Sequence, residues 1–494
     1  MATLVELPSK PRTCLNLIHN EWRAARSGKT LEVRSPYTGG VIGSVTLSES
    51  NDVADAVESA SRAFPAWRET PLKERTQILL KFRELVLQNL EGLAHTAAAE
   101  AGKMVDEARA GILKGIEVTE FAASLQNLDQ GGAMEVSRGV TCQFRREPVG
   151  VVCGITPFNF PAMVPFWMYP IALTVGNCFI LKPSEKVPLT SSLIGELIVQ
   201  AGFPPGVFSI VNGTKSTVEA LIDNPNVRAI GFVGSTPVAK SLYARATALG
   251  KRALTLGGAK NNLIIVPDAD EALTVRGVVD SFTGCAGQRC MAASLVVAVG
   301  EVDKILAQIA DQARSIQPGA QIGAIIDRQA RERIVAAIQE AEKAGATIVV
   351  DGRKAAPPKG YEGGNWLGPT IIDHATAEMA CAREEIFGPV LTIVRVKSLA
   401  DAMQLEAQNR FGNATSVFTT SGAVSRYVAD HATAGMVGIN IGIPVPREPF
   451  SFGGRKDSKF GHGDITGESA VDFWSDLKKI TTKWQLQRDH TWMS

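Results

Sequence analysis

The sequence lacks an excess of charge of either sign. Its 494 residues include 51 basic and 50 acidic side chains, which gives a formal net charge of +1. A protein that mainly binds nucleic acid or an anionic membrane surface is expected to carry a large positive net charge or a basic patch. The balance therefore indicates small-molecule partners, and we expect neither nucleic acid nor membrane among them.

Cysteine is scarce, with seven residues scattered along the chain. Their number is odd, and the N-terminal stretch has no apolar core of a signal peptide. Disulfides persist mainly in oxidising compartments, so this usage favours a reducing, cytoplasmic protein. A chain of this length is expected to form roughly two to four domains and to need no disulfides for stability.

Charged side chains are absent between Glu147 and Lys182, a stretch long enough to cross a bilayer. Five prolines interrupt it, together with Asn159 and Asn177. Lipid would leave the broken backbone hydrogen bonds unsatisfied. We therefore interpret this stretch as a buried strand, loop and helix inside a large protein.

Several catalytic signatures are also missing. The six histidines are dispersed and none has a zinc-type spacing to cysteine or glutamate, so we predict no metal. There is no Gly-x-Ser-x-Gly elbow, no Walker phosphate loop and no Gly-x-Gly-x-x-Gly dinucleotide fingerprint. Any prediction of nucleotide binding therefore rests on the side chains and N–H groups at the ends of individual strands.

What the sequence does contain is an α/β rhythm. Apolar spacing predicts helices over 53–64 and from 71 to about 98. After Gly150, alternating apolar runs and helical patterns predict a parallel sheet with strands at 150–156, 178–182, 207–212, 228–233 and 252–256. A second series after Asp268 has strands at 294–299, 390–396, 415–419 and 436–441, with helices to 282, from 302 and over 328–344. Two α/β lobes are predicted, with chemistry where strand ends meet across a cleft.

The most informative motif is a glycine-punctuated turn that follows a predicted helix and ends in Gln288-Arg289-Cys290. A neighbouring cation stabilises a thiolate, which is the nucleophilic form of cysteine. Cys290 is therefore a candidate nucleophile. The alternative is that it is a small buried hydrophobic residue, the commoner state of a cysteine.

Three strand ends carry other candidate groups. Asn159, held between two prolines, can donate its amide to an oxyanion, although an asparagine here can also simply cap a turn. Lys182 and Glu185 end the second strand and suit a phosphate and ribose hydroxyls. Ser235 precedes a helix whose N-terminal amides favour a phosphate.

Together these motifs resemble the aldehyde dehydrogenase family, and within it the CoA-acylating methylmalonate-semialdehyde dehydrogenases. The similarity runs from about Leu17 to Trp484, and many segments match in family order. The matching segments are 157–161, 163–190, 231–235, 258–261, 287–290, 384–389, 444–446 and 450–452.

The resemblance implies the aldehyde dehydrogenase fold, with a Rossmann-like NAD domain, an α/β catalytic domain and a small β oligomerisation arm. It places the NAD domain at 1–130 and 150–257, the catalytic domain at 258–474 and the arm at 131–149 and 475–494. It also implies a homotetramer built as a dimer of dimers.

The resemblance further implies that Cys290 is the nucleophile and that the Asn159 amide and the Cys290 backbone N–H hold the oxyanion. Glu185 favours NAD over NADP, because a carboxylate would repel a 2′-phosphate. The implied NAD-site residues are Thr156, Phe158, Lys182, Glu185, Lys186, Ser235, Gly257, Glu385 and Phe387.

One departure from the family pattern bears on the acyl acceptor. Hydrolytic members carry a glutamate two residues before the Gly-Gly pair, where this chain has Thr255. Threonine cannot act as a base near neutral pH, so we expect a CoA thiol to take the acyl group.

The substrate is the second point of departure. The resemblance implies two arginines around a substrate carboxylate, of which Arg289 supplies one and Lys114 stands at the position of the other. Arg447 and Glu448 stand where the subgroup looks apolar, so a different anionic or longer aldehyde stays open.

We therefore expect NAD-dependent oxidation of a malonate- or methylmalonate-type semialdehyde to an acyl-CoA through a Cys290 thioester, with loss of the carboxylate. One alternative is a hydrolytic enzyme that makes a free acid from another anionic or aromatic aldehyde. A second is a non-catalytic nucleotide- or acyl-binding protein on the same fold.

Overall fold

The N-terminal region consists of short strands followed by helices. A computed structural model describes residues 11–128 and 131–484. The predicted helix at 53–64 is confirmed, whereas the predicted helix over 71–98 is two helices, because the backbone leaves the helical conformation at Asn89. The elements are β1 Arg12–Cys14, β2 Asn16–Ile18, β3 Glu21–Arg23, β4 Thr30–Arg34, β5 Val41–Thr46, α1 Ser50–Glu69, α2 Leu72–Gln88, α3 Leu90–Ala101 and α4 Val105–Leu128.

The middle of the chain alternates strands and helices as predicted. The charge-free stretch forms a strand, a loop and a buried helix, α5. Across 11–128 and 131–484, no helix has the length and apolarity needed to cross a membrane. The elements are β6 Gly132–Ser137, β7 Val140–Pro148, β8 Val151–Ile155, α5 Met163–Thr174, β9 Cys178–Lys182, α6 Pro188–Ala201, β10 Phe208–Ile210, α7 Lys215–Asp223, β11 Val227–Val233, α8 Thr236–Ala248 and β12 Arg252–Leu256.

The remaining elements form the second series. Its predicted strands lie within about two residues of the observed ones, but β13 (Asn261–Ile265) and β16 (Thr370–Asp373) were not predicted. The first two residues of β13 are asparagines, which interrupt the apolar pattern. The elements are β13 Asn261–Ile265, α9 Glu271–Thr283, β14 Ala293–Val299, α10 Asp303–Ser315, α11 Arg328–Lys343, β15 Thr347–Val350, β16 Thr370–Asp373, α12 Ala380–Arg383, β17 Val390–Val396, α13 Leu399–Gln408, β18 Phe411–Gly412, β19 Ala414–Phe418, α14 Gly422–His431, β20 Met436–Ile439, β21 Arg455–Lys456, β22 Lys459–Phe460, α15 Gly467–Phe473 and β23 Ser475–Lys483.

The first lobe is built on an eight-stranded sheet with the order β22-β12-β11-β8-β9-β10-β2-β3. Its five central strands, β12 to β10 in that order, are parallel. The chain leaves β8 toward β9 on one side and later returns to β11 on the other. This reversal of strand order creates a crevice at the carboxyl ends of β8 and β11, where open α/β sheets bind ligands.

The second lobe is built on a seven-stranded sheet with the order β15-β16-β17-β14-β13-β19-β20. All neighbouring strands are parallel except β15 and β16. Its amino edge faces the crevice of the first lobe, as shown by a hydrogen bond of 2.9 Å from Asn159 to the carbonyl of Gln288 and by the contact of Phe158 with Phe387.

The C-terminal part of the predicted 258–474 domain returns to the first lobe. Strand β22 pairs with β12. Trp474 is fully buried in the core of the first lobe, where its ring meets Phe179 and its carbonyl accepts a hydrogen bond of 2.8 Å from the Asn177 amide. Burial of a large aromatic ring is strongly favourable, which explains why this segment leaves the second lobe.

A separate antiparallel sheet contains β6, β7 and β23. It joins the two segments expected to form the oligomerisation arm, 131–149 and 475–494, of which residues 485–494 lie outside the described residues. Most of its side chains are exposed, including the apolar Met134 and Phe144. Its role in assembly stays a prediction.

Replacing the Trp474 ring tests whether this segment completes the first lobe. We expect Trp474→Ala to lower the free energy of unfolding by about 3–5 kcal/mol, because it empties a buried aromatic site. Thermal unfolding would measure the effect. Trp484→Ala is the matched control, since that ring is 86% exposed; equal shifts for both variants would contradict the assignment.

Candidate active site

The loop before Cys290 has an unusual backbone. Cys285, Ala286 and Gly287 follow one another with φ values of 52°, 53° and 69°. Left-handed conformations cost non-glycine residues about 1–2 kcal/mol each and persist only where the surroundings impose them. A Cβ at Gly287 would lie 2.0 Å from the carbonyl oxygen of Gly388, so only glycine fits there.

The buried side chain of Gln288 holds this loop in place. Its Oε1 accepts a hydrogen bond of 3.0 Å from the backbone N–H of Ile326, and its Nε2 donates to the carbonyls of Ala324 and Cys285, both at 3.3 Å. The amide thus connects the turn at Cys285 to the neighbouring segment of Ala324 and Ile326. The cysteine is therefore presented on a preorganised backbone.

Cys290 lies three residues before β14, at the amino edge of the second sheet. Its carbonyl accepts hydrogen bonds from the amides of Asn261 and Asn413, at 2.8 and 2.9 Å. Burial raises the pKa of its thiol to about 12, and the negative charge of Glu385 adds to the increase, whereas Lys103 acts against it. Burial therefore favours the neutral thiol over the thiolate at neutral pH.

The positive charge of Arg289 acts to lower the pKa of Cys290, although burial of the thiol outweighs it. The Nε of Arg289 donates to the sulfur of Cys285 at 3.2 Å, and its Nη2 lies 3.4 Å from a carboxylate oxygen of Glu107. Glu107 also accepts a hydrogen bond of 2.5 Å from the N–H of Cys285. The guanidinium is therefore fixed by direct contacts with Cys285 and Glu107.

A buried lysine that was not among the predicted site residues completes this cluster. Lys103 has no hydrogen-bond partner among the described residues for its ammonium group, which lies 3.3 Å from the centre of the Phe160 ring. Burial lowers the pKa of Lys103, and nearby Cys285 and Glu107 oppose that effect. It comes from a distant part of the sequence, so no local motif signals it.

Asn159 lies where the two lobes meet. Its side chain is buried, and its Nδ2 donates to the carbonyl of Gln288 at 2.9 Å, directly before the Arg289-Cys290 pair. An amide NH₂ has two donors, so one N–H is left for a ligand in the cleft. The structure therefore places the predicted oxyanion donor beside the cysteine loop.

Thr255 provides no base. Its side chain is fully buried, and its hydroxyl donates to the carbonyl of Ala239 in α8 at 3.0 Å. Hydrolytic family members are expected to have a carboxylate at this position. Here the position has a hydroxyl that is already bonded within the first lobe.

The predicted NAD residues of the first lobe follow the carboxyl ends of its parallel strands. Thr156 follows β8 and donates its N–H to the carbonyl of Lys182 at 3.1 Å. The Lys182 ammonium lies 3.0 Å from the Glu185 carboxylate. Although burial acts to raise the pKa of Glu185, Lys182 holds it below its ordinary value, so the carboxylate is ionised and can accept ribose hydroxyl hydrogen bonds.

The N-terminus of α8 fits a phosphate. Ser235 is exposed before the helix, and its side chain makes no capping hydrogen bond. Pro237 has no N–H, so the first turn offers the N–H groups of Thr236 and Val238 to a phosphate. Gly257 lies alongside, and a Cβ there would come within 2.7 Å of the Thr236 hydroxyl. These features suit the pyrophosphate and ribose of a dinucleotide.

The second lobe brings Glu385 and Phe387 to the same cleft. Glu385 accepts a hydrogen bond of 2.9 Å from the N–H of Ala259, and burial raises its pKa to about 7. The rings of Phe387 and Phe158 meet edge to face at 5.9 Å. Lys186 reaches across to Asp327, with 2.5 Å between the ammonium and the carboxylate.

Lys114 lies in an ion-pair cluster. Its ammonium is 2.8 Å from the carboxylate of Glu448 and 3.0 Å from that of Glu117. It is therefore not an open cationic site, in contrast to the expectation that it holds a substrate carboxylate. The sequence placed Glu448 near the pocket but gave no sign of this pairing, which joins positions more than 300 residues apart.

The chain belongs to the aldehyde dehydrogenase family, whose sequence profile matches residues 22–480. It is 41% identical to malonate-semialdehyde dehydrogenase 1 of Geobacillus kaustophilus over 97% of this chain and 99% of that protein. It is also 41% identical to the acylating mitochondrial methylmalonate-semialdehyde dehydrogenase of Arabidopsis thaliana, over 97% of this chain and 80% of that protein.

Solved structures agree with this assignment. A methylmalonate-semialdehyde dehydrogenase from Oceanimonas doudoroffii matches with a TM-score of 0.94 and 40% identity, covering 96% of this chain and 99% of that one. A Sinorhizobium meliloti protein described as the same type of enzyme, in complex with NAD, matches with a TM-score of 0.96 and 38% identity, over 98% of this chain and all of the other.

The raised pKa of Cys290 predicts how the free enzyme reacts with iodoacetamide. Below its pKa, the thiolate fraction rises about tenfold per pH unit, so the labelling rate at position 290 should rise steadily between about pH 7 and 9. Peptide mass spectrometry would follow Cys290, with the partly exposed Cys142 as an internal reference. Glu385→Gln should speed labelling, because it removes a charge that raises the pKa. A pH-independent rate at Cys290 would contradict a resting thiol that is protonated at neutral pH.

Proposed function

We propose that this chain is an NAD-dependent, CoA-acylating dehydrogenase of malonate-type semialdehydes. The observation that carries the proposal is the placement of Cys290 and Asn159 in one cleft while the base position is filled by Thr255, whose hydroxyl is bonded elsewhere. The names of the relatives, malonate- and methylmalonate-semialdehyde dehydrogenases, support the substrate class.

Cys290 is proposed to act as the nucleophile. Its thiol loses a proton to solvent, and the sulfur attacks the aldehyde carbon, so that a C–S bond forms and the carbonyl oxygen becomes an oxyanion. The free N–H of the Asn159 amide and the N–H of Cys290 stabilise that oxygen. NAD, when bound, accepts the hydride that leaves this carbon, and a thioester on Cys290 results.

The acyl group of this thioester is then transferred to CoA. Water needs a general base to attack a thioester quickly, and Thr255 cannot supply one. A CoA thiol attacks without that base, so the Cys290–carbon bond breaks, the acyl group moves to CoA and the thiol of Cys290 is restored.

Residues on both lobes would hold NAD. Ser235 and the α8 amides would bind phosphate, and Lys182 with Glu185 would bind the adenosine ribose. Glu385 and Phe387 would hold the nicotinamide ribose. The supporting observations are the exposed, uncapped start of α8 and the ionised Glu185.

The substrate carboxylate is proposed to meet Arg289, the cation next to the nucleophile. The guanidinium is mostly buried and spans Cys285 and Glu107, which fixes its position. A malonate-type product then loses its carboxylate as CO₂ or bicarbonate. Lys114 is left out of this role because two carboxylates hold it at 2.8 and 3.0 Å, whereas Arg289 has one carboxylate neighbour, at 3.4 Å.

We further propose a cytoplasmic homotetramer. All seven cysteines are free, as suits a reducing compartment. The sheet of β6, β7 and β23 has two outer strands with open edges and exposed apolar side chains, which suits pairing with another subunit.

The acyl acceptor can be tested with purified enzyme, NAD and malonate or methylmalonate semialdehyde. We expect sustained NADH formation only when CoA is present, together with an acyl-CoA product detected by mass spectrometry. Without CoA, intact-mass analysis should find an acyl adduct that is absent in Cys290→Ala. Equal NADH formation with and without CoA, yielding free acid, would instead establish a hydrolytic enzyme.

Removing the oxyanion donor should slow the chemical step. Asn159→Ala is expected to lower kcat about 10²- to 10³-fold, as for other single donors of this kind. Steady-state NADH production measures the effect, and unchanged thermal unfolding would show that the loop is intact. Asn226→Ala, at an exposed asparagine, serves as the control. A near-normal kcat for Asn159→Ala would remove this residue from the mechanism.

A further inference from the structure

The ion pair of Lys114 and Glu448 leaves one carboxylate oxygen without a partner. Oε2 of Glu448 lies 2.8 Å from the Lys114 ammonium. Oε1 is buried and accepts no hydrogen bond from any residue in 11–128 or 131–484. The Glu448 side chain is only 6% exposed, so bulk water does not readily replace the missing donor. Buried hydrogen-bond acceptors are nearly always paired, so a donor to Oε1 of Glu448 is expected.

The pair lies on the helix face that borders the cysteine loop. Glu107, Gly111 and Lys114 are spaced at helical intervals along α4, and Lys114 is roughly 10 Å along the axis from Glu107. Glu107 bonds to the N–H of Cys285. A Cβ at Gly111 would lie 3.5 Å from the ring of Phe160, which follows Asn159 directly.

The segment that carries Glu448 meets α4 at the Lys114–Glu448 ion pair. Its residues Ile443 and Val445 pack against the same apolar cluster as Phe160 and Cys290. The unpartnered oxygen of Glu448 is therefore held beside α4, about one helical turn from Gly111, which contacts the residue that follows Asn159.

The donor to this oxygen has to come from a substrate that is itself an anion. Lys114 is shared between the carboxylates of Glu448 and Glu117, so the three groups carry one net negative charge. This charge repels the substrate carboxylate, and an anionic semialdehyde without an amine has no cation to offer. A hydroxyl supplies the missing hydrogen bond without adding charge.

We propose that Glu448 is a specificity-determining residue that accepts a hydrogen bond from a hydroxyl group on the substrate. The preferred substrate class is then an anionic semialdehyde whose side group is hydroxylated rather than purely alkyl. This inference rests on the proposed function, because it takes Arg289 as the partner of the substrate carboxylate. Lys114 holds Glu448 in position and contributes no carboxylate site of its own.

A matched pair of substrates tests this directly. 2-Hydroxy-3-oxopropanoate and methylmalonate semialdehyde have the same charge and length and differ in a hydroxyl against a methyl group. A second pair, with hydroxymethyl against ethyl at the same carbon, extends the reach by one atom. The measured quantity is the ratio of kcat/KM for the hydroxyl to the alkyl member, with acyl-CoA as the product, in the full-length enzyme.

In at least one pair, Glu448→Leu should lower this ratio at least tenfold relative to the unmutated enzyme. A site that bonds a substrate hydroxyl discriminates against the alkyl analogue only while the carboxylate acceptor of Glu448 is present. Comparing ratios between variants cancels the different intrinsic reactivities of the aldehydes. Glu448→Gln retains a carbonyl acceptor of similar shape and should keep most of the preference. Glu117→Gln removes a nearby charge but leaves the Lys114–Glu448 pair, and its ratio should stay within about twofold of the unmutated enzyme.

Two results would overturn the inference: a ratio unaffected by Glu448→Leu in both pairs, or an equal change in Glu117→Gln, which would indicate a general charge effect. Either result leaves the proposed function standing as long as acyl-CoA forms. Absence of acyl-CoA from every aldehyde, with Glu448 intact, would instead remove the proposed function itself. The two failures are therefore distinguishable.

Discussion

The site depends on a backbone that is held in an unfavourable conformation at the junction of the two lobes. Two non-glycine residues and Gly287 are left-handed in sequence, and the buried amide of Gln288 bonds the turn to its surroundings. Asn159 then crosses from the first lobe to the carbonyl of Gln288. The relative position of nucleophile and oxyanion donor is thus set by contacts within the protein, so little order has to be acquired when a substrate arrives.

The electrostatics of the cleft follow from the same burial. The carboxylate of Glu385 and the thiol of Cys290 both have raised pKa values, since neither charge is favoured away from water. Lys103 and Arg289 act to lower the pKa of Cys290, but they do not outweigh burial. Arg289 is directed to Cys285 and Glu107, and Lys103 lies against an aromatic ring. Burial therefore favours a protonated thiol in the free site, and a thiol reacts with oxidants and alkylating agents more slowly than a thiolate.

The sequence was informative where function depends on local order and uninformative where it depends on distant packing. Strands β9 and β12, Asn159 after β8 and Cys290 after its glycine turn could all be placed from neighbouring residues. Strand β13 could not, because it begins with two asparagines, the first of which bonds to the cysteine loop and to the neighbouring strand. The direction of Arg289 and the Lys114–Glu448 pair also could not be foreseen, since spacing along the chain does not encode which charges meet across elements.

The return of the chain to the first lobe has a consequence for biosynthesis. The sheet of that lobe gains β22 and its core gains Trp474 only after the whole second lobe has been made. A nascent chain emerging from the ribosome must therefore carry an open sheet edge beside β12 and an unfilled aromatic cavity through the synthesis of roughly two hundred residues, a period in which exposed strands are prone to aggregate. The nascent first lobe is thus expected to depend on chaperones until its last pieces arrive.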